Sequence, residues 1–263
     1  MINVQDEYRG LLSGILHGGE EKNDRTGTGT RSVFGRILRH NMELGFPLLT
    51  AKKIYFNHAI TELLWILQGR TDMYYLRHHG LTYWDDNYKK SGRTDNTLGP
   101  DFDGVDQLKW VLEQIKQEPS SRRIMASLWN PTELDDMALP PCHYGFQVYI
   151  NNNKLSIAWS QRSVDVFLGL PYDLAMYGLL LLMLAKGSGY EPGDLICFLG
   201  DCHIYNNHIK QALEYLNRAD GKLPTVELKK GLSLAHDVII PTHQDITLIG
   251  YKPAGTIKAP LAT

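Results

Sequence analysis

Between residues 5 and 17 the apolar positions return every three or four residues and then meet Gly18-Gly19, so the spacing predicts an amphipathic helix closed by a glycine stop. Residues 57–68 (NHAITELLWILQ) repeat that period with a wider apolar stripe, interrupted by one acid, Glu62. Residues 106–117 show it a third time. Runs of the other period, RRIMASLWN, HYGFQVYI and KLSIAWSQ, predict strands. NDRTGTGTRSVFGRILRHNM reads as a Gly/Thr turn feeding a strand, and DLICFLGDCHIYNNHIKQALEYL as a strand passing into a helix. The stretch 174–185, LAMYGLLLLMLA, is apolar on every side. It predicts a buried helix entered at residue 173, and at about twelve residues it falls short of the ~20 that span a bilayer.

Strand and helix patterns alternate without a repeat or a linker, which predicts an α/β or α+β fold with a mixed sheet flanked by helices, in a single catalytic domain covering 1–263. Residues 69–106 break both periods and are rich in Gly and Asp, yet they carry Tyr83, Trp84 and Tyr88, the mark of a functional loop.

Composition narrows the field. With 43% hydrophobic and 21% charged residues the chain can bury a sizeable core. A net charge of −2 and a pI near 6.5 leave no basic surplus for a nucleic-acid backbone, so an anionic partner is expected to be small. Three cysteines (142, 197, 202) form no disulfide framework, and MINVQDEYRGLL lacks a signal-peptide layout. Both point to a reducing, cytoplasmic setting with no membrane partner.

The candidate chemistry begins with Cys142 in ALPPCHYGFQVY, a thiol held between two stiff prolines and a strand, where it can serve as a nucleophile or simply pack. His143 follows directly, and strand neighbours point to opposite faces, so a protease-like Cys-His pair is not expected. Arg25, Arg122-Arg123 and Arg162-Ser163 offer forks and a hydroxyl suited to a phosphate, though each alone reads equally as a surface cation. The GTGT turn is not a Walker loop, because no Gly-Lys-Ser/Thr closes it. Cys197, Cys202, His203 and His208 lack metal-ligand spacing, so no metal is expected and His203 and Tyr205 read as hydrogen-bonding residues.

Taken together, NDRTGTGT (23–30), FPLLTAKK (46–53), ELLWILQG (62–69), SSRRIMASLWNP (120–131), MALPPCH (137–143), QRSVDVFLGLPYD (161–173), GDCHIYNNH (200–208) and TIKAPLA (256–262) resemble the thymidylate synthase family over nearly the whole chain. The resemblance implies an obligate homodimer packed through its sheets. It implies 5,10-methylenetetrahydrofolate as co-substrate and a pyrimidine nucleoside monophosphate as substrate. Cys142 is implied as the nucleophile that adds to carbon 6, Glu62 as the acid that manages protons and water, and His143 as a further catalytic group. Arg25, Arg162 and Ser163 would hold the phosphate, with Arg122 and Arg123 from the second subunit, and His203 and Tyr205 the sugar hydroxyl. Trp84, Asp165, Lys52 or Lys53, and the terminal segment ending at Thr263 would meet the folate.

One residue departs from that family pattern. Asp173 stands where the family places asparagine, and a carboxyl group complements cytosine, accepting from its amino group and, when protonated, donating to N3. This implies a cytidylate substrate and a likeness to the deoxycytidylate hydroxymethylases, whose product carries an added water. The family's Trp-Asp-x-Trp appears as Trp84-Asp85-Asp86-Asn87, and its longer Gly-Pro stretch is cut to Gly99–Gly104; both losses imply a wetter pocket. Methylation of a cytidylate, action on dUMP, a cysteine hydrolase and a non-catalytic nucleotide-binding or RNA-regulatory protein are the alternatives.

Overall fold

The computed structural model describes residues 3–85, 105–137 and 139–261; Asp86, Asn87, Tyr88, the Gly99–Gly104 stretch and Thr263 lie outside them. The first helix, Val4–Gly18, is capped by the Asn3 side chain, which accepts from the Gln5 amide. Its inner stripe, with Tyr8, Leu12 and Ile15, is fully buried. The helix stops where the Gly19 amide bonds the Ile15 carbonyl, and a Cβ on Gly19 would stand 2.5 Å from that oxygen.

Six strands form one mixed sheet: β1 (Glu20–Lys22), β2 (Thr30–Asn41), β3 (Met125–Ser127), β4 (His143–Asn151), β5 (Lys154–Asp165) and β6 (Glu191–Tyr205), in the order β1-β2-β6-β5-β4-β3. Every pairing is antiparallel except β5 with β6. That parallel pair needs a crossover, and the helix Leu170–Ser188 supplies it. The helix starts three residues earlier than the apolar run suggested. Pro171 sits in its first turn, where a missing N–H leaves no bond unmade. By length and composition this 19-residue helix could cross a membrane, but 78% of its apolar window is buried, packed on β5, β6 and the helix Phe56–Leu67.

The inner sheet face carries Leu155, Ile157, Trp159, Leu195 and Leu199, all buried under the helices. The opposite face is open: Phe34 is 83% exposed and Ile37 62%, and Ile37 pairs across to the exposed Phe198. The other expected helices and strands are present, but RRIMASLWN forms a strand only over Met125–Ser127, and β1 was not anticipated. The short helix Tyr74–His78 interrupts the stretch read as irregular. Two small ladders were not anticipated, β7 (Thr225–Leu228) with β10 (Ile246–Ile249) and β8 (Ser233–Leu234) with β9 (Val238–Ile239). Two to five residues contain too few periods to declare themselves.

Candidate active site

Cys142 lies at the mouth of β4, after Pro140-Pro141, and the ladder to β5 is irregular between His143 and Gly145. Arg162 fixes this bend. Its amide donates to the Cys142 carbonyl (2.8 Å), its Nε to Pro141 (2.9 Å) and its Nη2 to Pro140 (2.7 Å), while the guanidinium lies over the Trp129 ring. Three backbone carbonyls thus receive one residue, and the backbone of Cys142 is held rigid.

Cys142, Trp84 and Leu139 line both a chamber of about 490 Å³ and an adjoining recess of about 60 Å³. The chamber, within the usual range for small-molecule sites, is walled by Arg25, Arg162, Ser163, Asp165, His203 and Tyr205, with Leu261 at its rim. These come from adjacent strand ends in fixed register: Thr30 opposes Tyr205, Ser32 opposes His203, and Asp165 pairs with His203. The turn bearing Arg25 is built by Asp24, whose carboxylate accepts from the Thr26 and Gly29 amides and the Thr26 hydroxyl. Those donors, the Thr26 hydroxyl foremost, hold the Asp24 carboxyl below its usual range. Gly27 and Gly29 have φ of 72° and 75°, and a Cβ on Gly29 would meet the Asn206 amide at 2.6 Å. Asp165 accepts from the Phe167 and Leu168 amides, 3.0 Å each, and His203 packs edge-on against Tyr205. Arg122 and Arg123 do not join this wall. They are exposed, just ahead of β3 at the far side of the sheet.

The recess holds Glu62 and His143 beside Cys142. Glu62 is gripped at both oxygens: the Tyr83 hydroxyl donates to Oε2 at 2.6 Å and the Trp84 indole N–H to Oε1 at 3.0 Å. Burial pushes the Glu62 carboxyl up, and the two donors pull against it. Asp173, 8% exposed, sits behind this wall. Gln161 Nε2 donates to its Oδ2 at 3.0 Å, and His143 Nε2 lies 3.2 Å from its Oδ1. His143 therefore turns toward Asp173, and in turn packs on Tyr177, which stacks on Trp159.

The two lysines separate. Lys52 is 3% exposed, with its Nζ bonded to the Phe167 carbonyl and 4.0 Å from that ring's centroid. Its ammonium is a core group that does not reach a ligand's surface tail, and burial pushes it down to about 7. Lys53 is exposed, above the Tyr55 ring. The remaining cysteines are core thiols, Cys197 pushed well up by burial and Cys202 to about 12. His208 is sealed inside, bonded to the Pro260 carbonyl. Among the described residues no group of three or more His, Cys, Asp or Glu could hold a metal ion.

Two members of the site, Gln161 and Tyr83, were given no role by sequence reasoning. Gln161 adjoins Arg162 on β5, so strand alternation turns it inward; an inward amide twelve residues ahead of a buried acid was the available signal. Tyr83 stood among loop aromatics with nothing to mark its hydroxyl. A family model described as thymidylate synthase matches residues 6–263.

Proposed function

The chain belongs to the thymidylate synthase family, and on that premise we propose that it forms 5-hydroxymethyl-dCMP from dCMP and methylenetetrahydrofolate. The family's chemistry is folate-dependent one-carbon transfer to C5 of a pyrimidine nucleotide. The observation that carries the reading is the sharing of Cys142 by two compartments. One presents Arg25, Arg162 and Ser163 with His203 and Tyr205, a set matched to phosphate and sugar; the other presents Glu62 and His143.

In this reading the Cys142 thiolate adds to C6, which makes C5 nucleophilic. The co-substrate supplies the carbon; Trp84, Leu261 and Asp165 on the chamber wall fit its ring system, and exposed Lys53 its acidic tail. Glu62 exchanges protons with the pyrimidine and with water. Asp173 selects the base: its carboxyl accepts from the exocyclic amine of cytosine and shares a proton with N3, whereas uracil would set a carbonyl against it. A mismatch of that kind costs roughly 1 to 3 kcal/mol. Two lone-pair positions of the carboxylate remain after Gln161 and His143. The rival reading, methylation of dUMP, draws on those same two neighbours, which give Asp173 a role without any base.

Incubation with dCMP, dUMP or CMP plus methylenetetrahydrofolate, followed by product mass, decides between them. Hydroxymethyl-dCMP is one oxygen heavier than methyl-dCMP and leaves tetrahydrofolate. Faster consumption of dUMP than of dCMP ends the proposal.

We also propose that the open sheet face with Phe34, Ile37, Tyr149 and Phe198 packs on a second copy. Contiguous exposed apolar area of this kind marks interfaces, and a second copy would bring Arg122 and Arg123 to the phosphate. Sedimentation of the intact chain should give twice the monomer mass of 29.8 kDa; a monomer at micromolar concentration refutes it.

A further inference from the structure

We infer that Tyr83 is a positioning residue that holds Glu62 as the acceptor for the proton of the water added to the one-carbon unit. This inference rests on the hydroxymethylation reading and deepens it.

A 2.6 Å O–H···O contact lies in the range of charge-assisted bonds to a carboxylate. Burial, and then the charge of Glu62, push the Tyr83 phenol well above its ordinary value, so it donates throughout the neutral range. With the Trp84 indole on the other oxygen, two of about four lone-pair positions of Glu62 are taken. The carboxylate cannot rotate without breaking both bonds. Glu62 itself lines the recess that Cys142 shares. Tyr83 also lines the chamber, so its hydroxyl puts a polar group between the two compartments.

The step balances with these groups alone. Once the carbon is on C5 as an exocyclic methylene, a water oxygen bonds to that carbon and its proton passes to Glu62. The methylene π electrons shift into the ring. They re-form the C5–C6 double bond as the C6–S bond breaks and the Cys142 thiolate leaves. No oxidant or reductant is required.

Asp173 and His143 also face Glu62, the acid raising its affinity for a proton and the imidazole lowering it, and Tyr172 lies near Tyr83. Only the donors Tyr83 and Trp84 touch it directly among the interactions that favour its charged form. Removing the hydroxyl should therefore raise the Glu62 titration.

The test is Tyr83→Phe in the full chain. The acidic limb of hydroxymethyl-dCMP formation should move up by about half to one pH unit, a loss of roughly three- to tenfold below the limb that fades as pH rises. A uniform loss at every pH, or an unmoved limb, overturns the inference. A second measurement does not need turnover: infrared titration of the carboxyl band, identified by its disappearance in Glu62→Gln, should show the same upward shift in Tyr83→Phe. If Tyr83→Phe is unstable, Tyr83→His, which keeps a donor, should retain the wild-type limb, and a shifted limb there counts against us. Absence of tritium release from every 5-tritiated pyrimidine monophosphate would instead defeat the hydroxymethylation reading, while the infrared titration would still report on Tyr83 and Glu62.

Discussion

Glu62 and Asp173 are the same chemistry mounted twice. Each carboxylate meets two side-chain partners, Tyr83 and Trp84 for the first, Gln161 and His143 for the second. Their supports differ. Gln161 and His143 belong to β5 and β4, neighbouring strands of the central sheet, and Asp173 to the first turn of the most buried helix. Glu62 sits in mid-helix and is gripped by two consecutive residues beyond the short helix Tyr74–His78. An acid that reads a base must be set to within a fraction of an ångström and benefits from the sheet. An acid that passes protons needs donors that tune its affinity, and a surface segment can supply these.

The comparison breaks first at Glu62. Glu62→Gln retains size and one of the two acceptor oxygens that Tyr83 and Trp84 bond but cannot take a proton, so the rate should fall by roughly 10²- to 10⁴-fold with nucleotide affinity little changed. Steady-state rates beside equilibrium binding of dCMP check this, and equal losses in both would make Glu62 a mere wall. Asp173→Asn comes next. It should swing the dCMP-to-dUMP preference by about ten- to several-hundredfold while the favoured nucleotide still turns over; competition between the two nucleotides measures it, and an unchanged ratio removes Asp173 from base recognition.

The smallest effect on activity is expected at Lys52, an ionisable group answered by a backbone carbonyl instead of a tuned pair. Burial lowers its proton affinity in the folded state, so between about 7 and its ordinary 10.5 the unfolded chain binds the extra proton. Stability should rise with pH across that window by up to about 1.4 kcal/mol per pH unit and be lowest below it. Lys52→Met should flatten the slope and leave turnover intact. A denaturation series from pH 6 to 10 with equal slopes in both proteins would contradict the placement.

Much of this was legible because periods of two and 3.6 residues persist long enough to be read. The helix Phe56–Leu67 and the strands β2, β4, β5 and β6 all have such runs, and the buried helix showed itself instead by an unbroken apolar stretch. Cys142 announced itself by its prolines, and the arginines by their pairing with a Gly/Thr turn or a serine. Lys52 and Lys53 look alike on paper; only the packing of Phe167 decides which one is solvated. Tyr83 could not be read because a hydroxyl's partner 21 positions away is a tertiary fact. Arg162 carried a phosphate-binding signal, and its three bonds to residues 140–142 lay behind it.

The alignment of β2 against β6 has one more implication. Since Tyr205, His203 and Asp165 owe their neighbours to cross-strand pairing, an inserted or deleted residue in any of these strands would flip alternate side chains to the wrong side at once. Exchanges of one amino acid for another leave that frame standing. Such a pocket is open to change by replacement of single residues, yet is closed to change by length.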